Sequence, residues 1–289
     1  MVREKRLPYL LMLPSLIILI LLVIFPMVFL YYNTLFRWGL GAWDKREFVG
    51  LYNYISVLTD PFFYNSLGVT LVYTAAAVTL EFLLGLGIAI ILRNVVARRL
   101  IISILIIPMA MAPAAAGLVW SLMLNYSYGV IPYILKRILG FSPAFLGAEF
   151  ALFSVILVDV WQWTPFMALI ILAGMEALPI EPYEAAQLDG ATAWQIFRHI
   201  TLPLLKPLLL VALLLRTIDV MKTFDTIYVL TGGGPGQATE VLSLRIFKTG
   251  FFWGGYEMGK ASVIAILLLL LITLLANVFI KMLREARVS

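Results

Sequence analysis

Six stretches of about 20 mostly apolar residues divide this chain, each long enough to cross the hydrocarbon core of a bilayer. They cover residues 10–31, 66–92, 100–124, 150–173, 204–228 and 259–282. A soluble domain is roughly half apolar and a quarter charged, whereas this sequence is 63% hydrophobic and 13% charged. At 289 residues it cannot hide that much apolar surface within itself. Lipid, acting as the outer solvent, removes the difficulty. The expected fold is therefore an all-α integral membrane bundle of six transmembrane helices. Residues 1–65 supply the first helix and an outer loop, and residues 66–289 a core of five helices. Pro14, Pro26, Pro108, Pro113 and Pro165 fall inside the spans. Proline is tolerated there when neighbours satisfy the freed carbonyls, so a kinked, cavity-forming bundle is expected rather than a simple anchor. The first span has no small-residue cleavage site clearly after it and reads as an uncleaved helix.

The rest of the composition removes whole classes of chemistry. Without cysteine there is no disulfide, thiolate metal site or cysteine nucleophile, and with His199 alone there is no histidine cluster or Ser-His-Asp triad. Neither a catalytic nor a metal site is expected. The net charge of +5 is no nucleic-acid footprint, because the basic residues gather at span ends, beside lipid headgroups. Arg3, Lys5 and Arg6 precede the first span; Arg93, Arg98 and Arg99 fill the turn after the second; Lys281, Arg284 and Arg287 follow the last. An even number of spans puts all three clusters on one side. By the positive-inside rule that side is cytoplasmic, with both termini and the 174–203 loop. Loops 32–65 and 229–258 then face outward. Their Trp38, Trp43, Phe62, Phe63, Tyr64, Phe251, Phe252 and Trp253 suit interfacial anchoring.

Within the 178–203 loop, Pro182 suits a first helical turn, and Glu181 and Glu184 favour a helix amino end. Asp189-Gly190 breaks that helix, glycine being free to take positive φ. Thr192 with Gln195 reads as a capping box for a second short helix, and Pro203 is expected to end it. Physically this is an amphipathic helix–kink–helix on the cytoplasmic surface, with a small face at Ala185 and Ala186. It could be no more than a surface connection.

The residue string adds more. Glu184-Ala185-Ala186, Asp189-Gly190-Ala191 and Ile200-Thr201-Leu202-Pro203 resemble the EAA loop of binding-protein-dependent ABC permeases. Val49-Gly50-Leu51-Tyr52-Asn53-Tyr54 with Asp60-Pro61, and the run from Phe224 to Gly236 (FDTIYVLTGGGPG), resemble the maltose, trehalose and glycerol-phosphate branch of that superfamily. The resemblance implies the fold of a type I ABC importer permease in the cytoplasmic (inner) membrane. It also implies a second permease, two ATPase subunits that bind ATP and Mg, and an extracytoplasmic solute-binding protein. No cofactor belongs to this chain itself. Glu184, Ala185, Ala186, Asp189, Gly190, Ala191 and Thr192 would form the coupling element that docks on an ATPase. The run Gly232 to Glu240 lacks the lysine of a phosphate loop and follows no strand, so nucleotide chemistry belongs to another chain. A flexible or tight turn facing the binding protein is expected there.

Ionisable residues inside a span suggest function. Arg216, Asp219, Lys222 and Asp225 alternate in sign along the fifth span, and Arg216–Asp219 and Lys222–Asp225 are spaced to pair. Glu81, in the second span, is a further partner for one of the cations. Such pairs could simply neutralise each other, or they could wall a solute cavity. In the fourth span Asp159, Trp161, Gln162, Trp163, Thr164 and Phe166 interleave polar groups with aromatics, a mixture that suits sugar. The resemblance carries solute contacts onto Asp159, Gln162, Trp163, Phe166, Arg216, Asp219 and Thr223. The solute implied is a sugar or oligosaccharide. Arg216 and Lys222 keep glycerol phosphate, polyamines or another charged solute open. A proton-coupled carrier or an intramembrane enzyme is disfavoured, because neither needs an ATPase-docking loop.

Overall fold

The computed structural model describes residues 2–39, 41, 45–93, 95–252 and 257–288, with side chains from 11 to 286 within them. Trp43, Trp253 and the side chains of Arg3, Lys5, Arg6 and Arg287 lie outside the described residues. The helices are α1 Val2–Leu19, α2 Phe25–Thr34, α3 Tyr52–Leu58, α4 Pro61–Leu92, α5 Arg98–Ala110, α6 Pro113–Leu124 and α7 Val130–Leu139. They continue as α8 Ala151–Glu176, α9 Glu181–Leu188, α10 Ala193–Ile196, α11 Leu202–Met221, α12 Asp225–Leu230, α13 Leu242–Phe247 and α14 Met258–Val288. Wide π turns join α1 to α2 at Ile20–Ile24 and α10 to α11 at Phe197–Thr201. A single antiparallel pair of strands, β1 Phe36–Arg37 and β2 Glu47–Phe48, interrupts the helices among the described residues.

The chain divides into two compact units. One comprises residues 1–63 and 245–270. Its first span, Leu11–Thr34, exposes Leu16, Leu22, Phe25 and Val28, as a lipid-facing span must. The loop after the first span is held by Asn53, whose Nδ2 donates to the carbonyls of Thr34 and Phe36 at 2.8 and 3.0 Å. Arg245 pairs with Asp60 across the same unit. Of the expected interfacial aromatics here, Phe62, Phe251 and Phe252 are exposed, but Phe63 is buried and cannot anchor at a membrane surface.

The other unit, residues 64–244 and 271–289, holds the core and the residues argued below. Ala89, Leu92, Met167, Ile171, Leu205 and Ala212 from α4, α8 and α11 pack together. Gly85 permits this closeness: a Cβ there would lie 2.9 Å from the Cβ of Met167. Small residues at such crossings are what draw membrane helices together, since lipid is as apolar as leucine.

Among the described residues, four helices are long and apolar enough to cross a membrane, at Leu11–Thr34, Pro61–Leu92, Ala151–Glu176 and Met258–Ala286. The expected third span is not one helix. α5 and α6 meet at a 92° bend. Met111 and Ala112 are extended, with ψ of 141° and 134°. Ala112 precedes Pro113, and proline's ring pushes the residue before it out of the helical region. The expected fifth span, 204–228, is also broken. α11 ends at Met221, and α12 starts again at Asp225. α11 carries Lys206, Arg216 and Asp219, so it does not pass as a span on composition alone.

Candidate functional site

Arg216 lies on α11 with only 1% of its side chain exposed. An isolated cation there would be prohibitively unfavourable, so its partners explain its presence. Its Nε and Nη2 donate to the two oxygens of Glu81 on α4 at 2.6 and 2.8 Å. Nη2 also donates to Asp159 Oδ2 on α8 at 2.5 Å. Nη1 donates to Asp219 Oδ2, one turn further along α11, at 2.9 Å. Planar forks of this kind are the strong form of carboxylate–guanidinium contact. The expected Arg216–Asp219 pair is therefore present, and Glu81 and Asp159 are the buried partners. The expected Lys222–Asp225 pair is absent among the described residues. Lys222 caps the end of α11 and Asp225 opens α12, so the three-residue helical spacing between them is lost.

The cluster backs a cavity of about 190 Å³. Asp159, Trp163, Asp219 and Thr223, four of the residues expected on the solute path, line it. Arg216 sits behind Trp163, its guanidinium 4.9 Å from the ring centroid, and is engaged by carboxylates rather than open to the cavity. Phe166 packs edge-on to Trp163 at 6.3 Å. Gln162 has a different place. It is fully buried, and its Nε2 donates to the Met111 carbonyl at 2.9 Å. That carbonyl belongs to the end of α5, where the bend leaves it without a helical partner. Gln162 thus props the broken span. Sequence reading missed Phe224, Pro113 and Thr226 as cavity residues. Phe224 was visible inside the FDTIYVL string, but nothing in the string marks the helix break that turns it inward.

The second assembly is the 178–203 loop. α9 starts with Pro182 in its first turn and ends at Leu188, and Gly190 beyond its cap has a φ of +74°. Thr192 and Gln195 form the expected capping box, Gln195 N to Thr192 Oγ1 at 3.3 Å and Thr192 N to Gln195 Oε1 at 2.7 Å. Glu184, Ala185, Asp189, Gly190 and Thr192 are exposed, while Ala186 and Ala191 are half-buried. Tyr183, on the opposite face, is buried. Its hydroxyl donates to Thr201 Oγ1 at 3.0 Å, and Arg93 lies over its ring at 5.1 Å. Pro203 does not end the second helix. The wide turn at Phe197–Thr201 carries α10 straight into α11, with Pro203 in the first turn of α11. A wider turn accommodates a residue that lacks an N–H and crowds the carbonyl four before it.

The run at Gly232–Glu240 is a tight turn. Thr231 and Thr239 hydroxyls meet at 2.7 Å, and Thr239 Oγ1 donates to the Gly234 carbonyl at 3.1 Å.

Residues 81–287 match the family described as binding-protein-dependent transport system inner membrane component. The chain belongs to this family. A trehalose/maltose transport system permease protein of Thermococcus litoralis is 43% identical to this inner membrane component, over 99% of this chain and 96% of that one. A trehalose transport system permease protein of Mycobacterium tuberculosis is 33% identical over 96% of this chain and 89% of its own. Among solved structures, a bacterial ABC transporter involved in alginate import superposes with a TM-score of 0.84 at 22% identity, covering 98% of this chain and 97% of that one. The fold of this multi-pass membrane component is thus that of ABC importer permeases.

Proposed function

We propose that this inner membrane component is the transmembrane subunit of an ATP-driven importer, passing a sugar or oligosaccharide inward from a solute-binding protein. The observation that carries the solute class is the cavity beside Arg216. Trp163 and Phe224 offer aromatic surface for the C–H faces of a sugar, and Asp159, Asp219 and Thr223 offer hydroxyl partners. The relatives named for trehalose and maltose support the same class. A second permease, two ATPase subunits carrying ATP and Mg, and an outer binding protein complete the assembly. Glu184, Ala185, Ala186, Asp189, Gly190, Ala191 and Thr192 form the ATPase-coupling element, and both termini lie in the cytoplasm. The exposure of this loop, opposite the anchored Tyr183, supports that role.

The test is reconstitution of the whole assembly in proteoliposomes. Loaded binding protein should stimulate ATP hydrolysis and drive labelled trehalose or maltose inside. Stimulation without accumulation of either sugar would leave the coupling role standing and remove the solute class.

A further inference from the structure

The solute class can be narrowed by charge, on the reading that the cavity beside Arg216 is where solute passes. We propose that this cavity admits uncharged sugars and excludes anionic ones, with Asp219 as the specificity-determining residue and Arg216 as the positioning residue that aims it. The Arg216, Glu81 and Asp159 side chains are each at most 1% exposed, whereas that of Asp219 is 53% exposed. Asp159 also borders the cavity, but of the four only Asp219 has an exposed side chain.

Three carboxylates against one guanidinium leave the cluster with excess negative charge. It stays anionic even were one of the three to hold a proton. Four of the five guanidinium N–H groups are engaged, by Glu81, Asp159 and Asp219. The positive charge is thereby enclosed behind its own counter-ions, out of reach of an entering phosphate or carboxylate. Lys222 and Asp225 also line the cavity and add one charge of each sign. An anionic solute therefore meets like charge across low-dielectric walls, where repulsion is felt more strongly than in water. A neutral sugar meets none. Its hydroxyls can donate to Asp219 Oδ1, which has no hydrogen bond among the described residues, while Oδ2 is held by Arg216.

The experiment is equilibrium binding to the detergent-solubilised, nucleotide-free complex of permeases and ATPases, without binding protein. The probes are trehalose and its 6-phosphate ester. Trehalose should bind about tenfold more tightly or better. Asp219→Asn should narrow that ratio by about threefold, and Asp219→Glu, which keeps the charge, should preserve it. A structural role alone would move both affinities together and leave the ratio unchanged in the asparagine variant. That result, or equal binding of the two probes by the native complex, overturns the charge filter and leaves the importer reading intact. Binding of neither probe removes the solute site itself, and the filter falls with it.

Discussion

Arg216 shows how one residue can fix three helices. It joins α4 through Glu81, α8 through Asp159 and its own helix through Asp219. Removing one partner of such a buried set leaves an uncompensated charge, a loss of about 3–5 kcal/mol. Arg216→Met should therefore fail to accumulate in the membrane, measured by immunoblot of membrane fractions. Glu81→Gln, which keeps the shape and one acceptor, should accumulate at reduced level. Gln162 gives a contrasting case. Its bond to the Met111 carbonyl stabilises by about 1 kcal/mol, typical of side-chain hydrogen bonds between membrane helices. Gln162→Leu should lower the melting temperature of the purified complex by a few degrees, with trehalose affinity within about twofold of native. A large affinity loss with unchanged melting would return Gln162 to the solute path. The sequence marked both residues as unusual, since polar groups in a span stand out. It could not say which faced a cavity and which faced a neighbour, because that depends on rotation about the helix axis and on a bend 50 residues away.

The elements show the same division between local and distant causes. Thr192-Gln195 and Asp189-Gly190 were readable because caps and left-handed turns are settled within a few residues. The bend between α5 and α6, by contrast, had its proline in plain view but not its angle of 92°. Hydropathy averaged over 20 residues sees only apolar content. The continuity of α10 into α11 was missed for a related reason, since Pro203 was weighed as a helix stop without the wide turn that precedes it. A side chain at Gly190 would meet no atom within 4 Å, so its effect is on the backbone. With φ of +74°, Gly190→Val costs about 1–2 kcal/mol there. That is too little to unfold the bundle but enough to re-aim α9. The variant should reach the membrane at near-native level and lose stimulation of ATP hydrolysis by loaded binding protein. Glu184 is exposed and forms no ion pair among the described residues, so Glu184→Lys should behave likewise. Full stimulation in both variants would show that this loop is not the coupling element.

For the whole molecule, orientation is the statement on which the others depend. The chain has no cysteine of its own. A cysteine placed at the exposed Thr192 should resist an impermeant thiol reagent in intact cells and react once the membrane is opened. Labelling from outside would invert the topology. Membrane residence, four of the six expected spans, and the capped helix–turn–helix of the 178–203 loop were legible in the chain because lipid, charge at span ends and short motifs each act locally. Glu81 was legible as a partner for one of the cations, but that the cation is Arg216 and that Asp159 joins it was not, since it requires the packing of α4 on α8 and α11. One feature joins the two ends of this unit. From Ala193 through the wide turn to Asp219 the backbone stays helical, about 39 Å at 1.5 Å per residue. Spin labels at Ala193 and Ile218 should hold their separation to within about 2 Å when nucleotide binds; a larger change would make the wide turn a hinge. Moving as one rod, the outcome those labels test, this segment multiplies displacement. A tilt of about 5° at its α10 end carries Arg216 and Asp219 through about 3 Å, three times what a hydrogen bond tolerates. The knot of charges would then be either tied or undone, with no setting in between, and a small movement at the foot of the rod would be read at the cavity as a yes or a no.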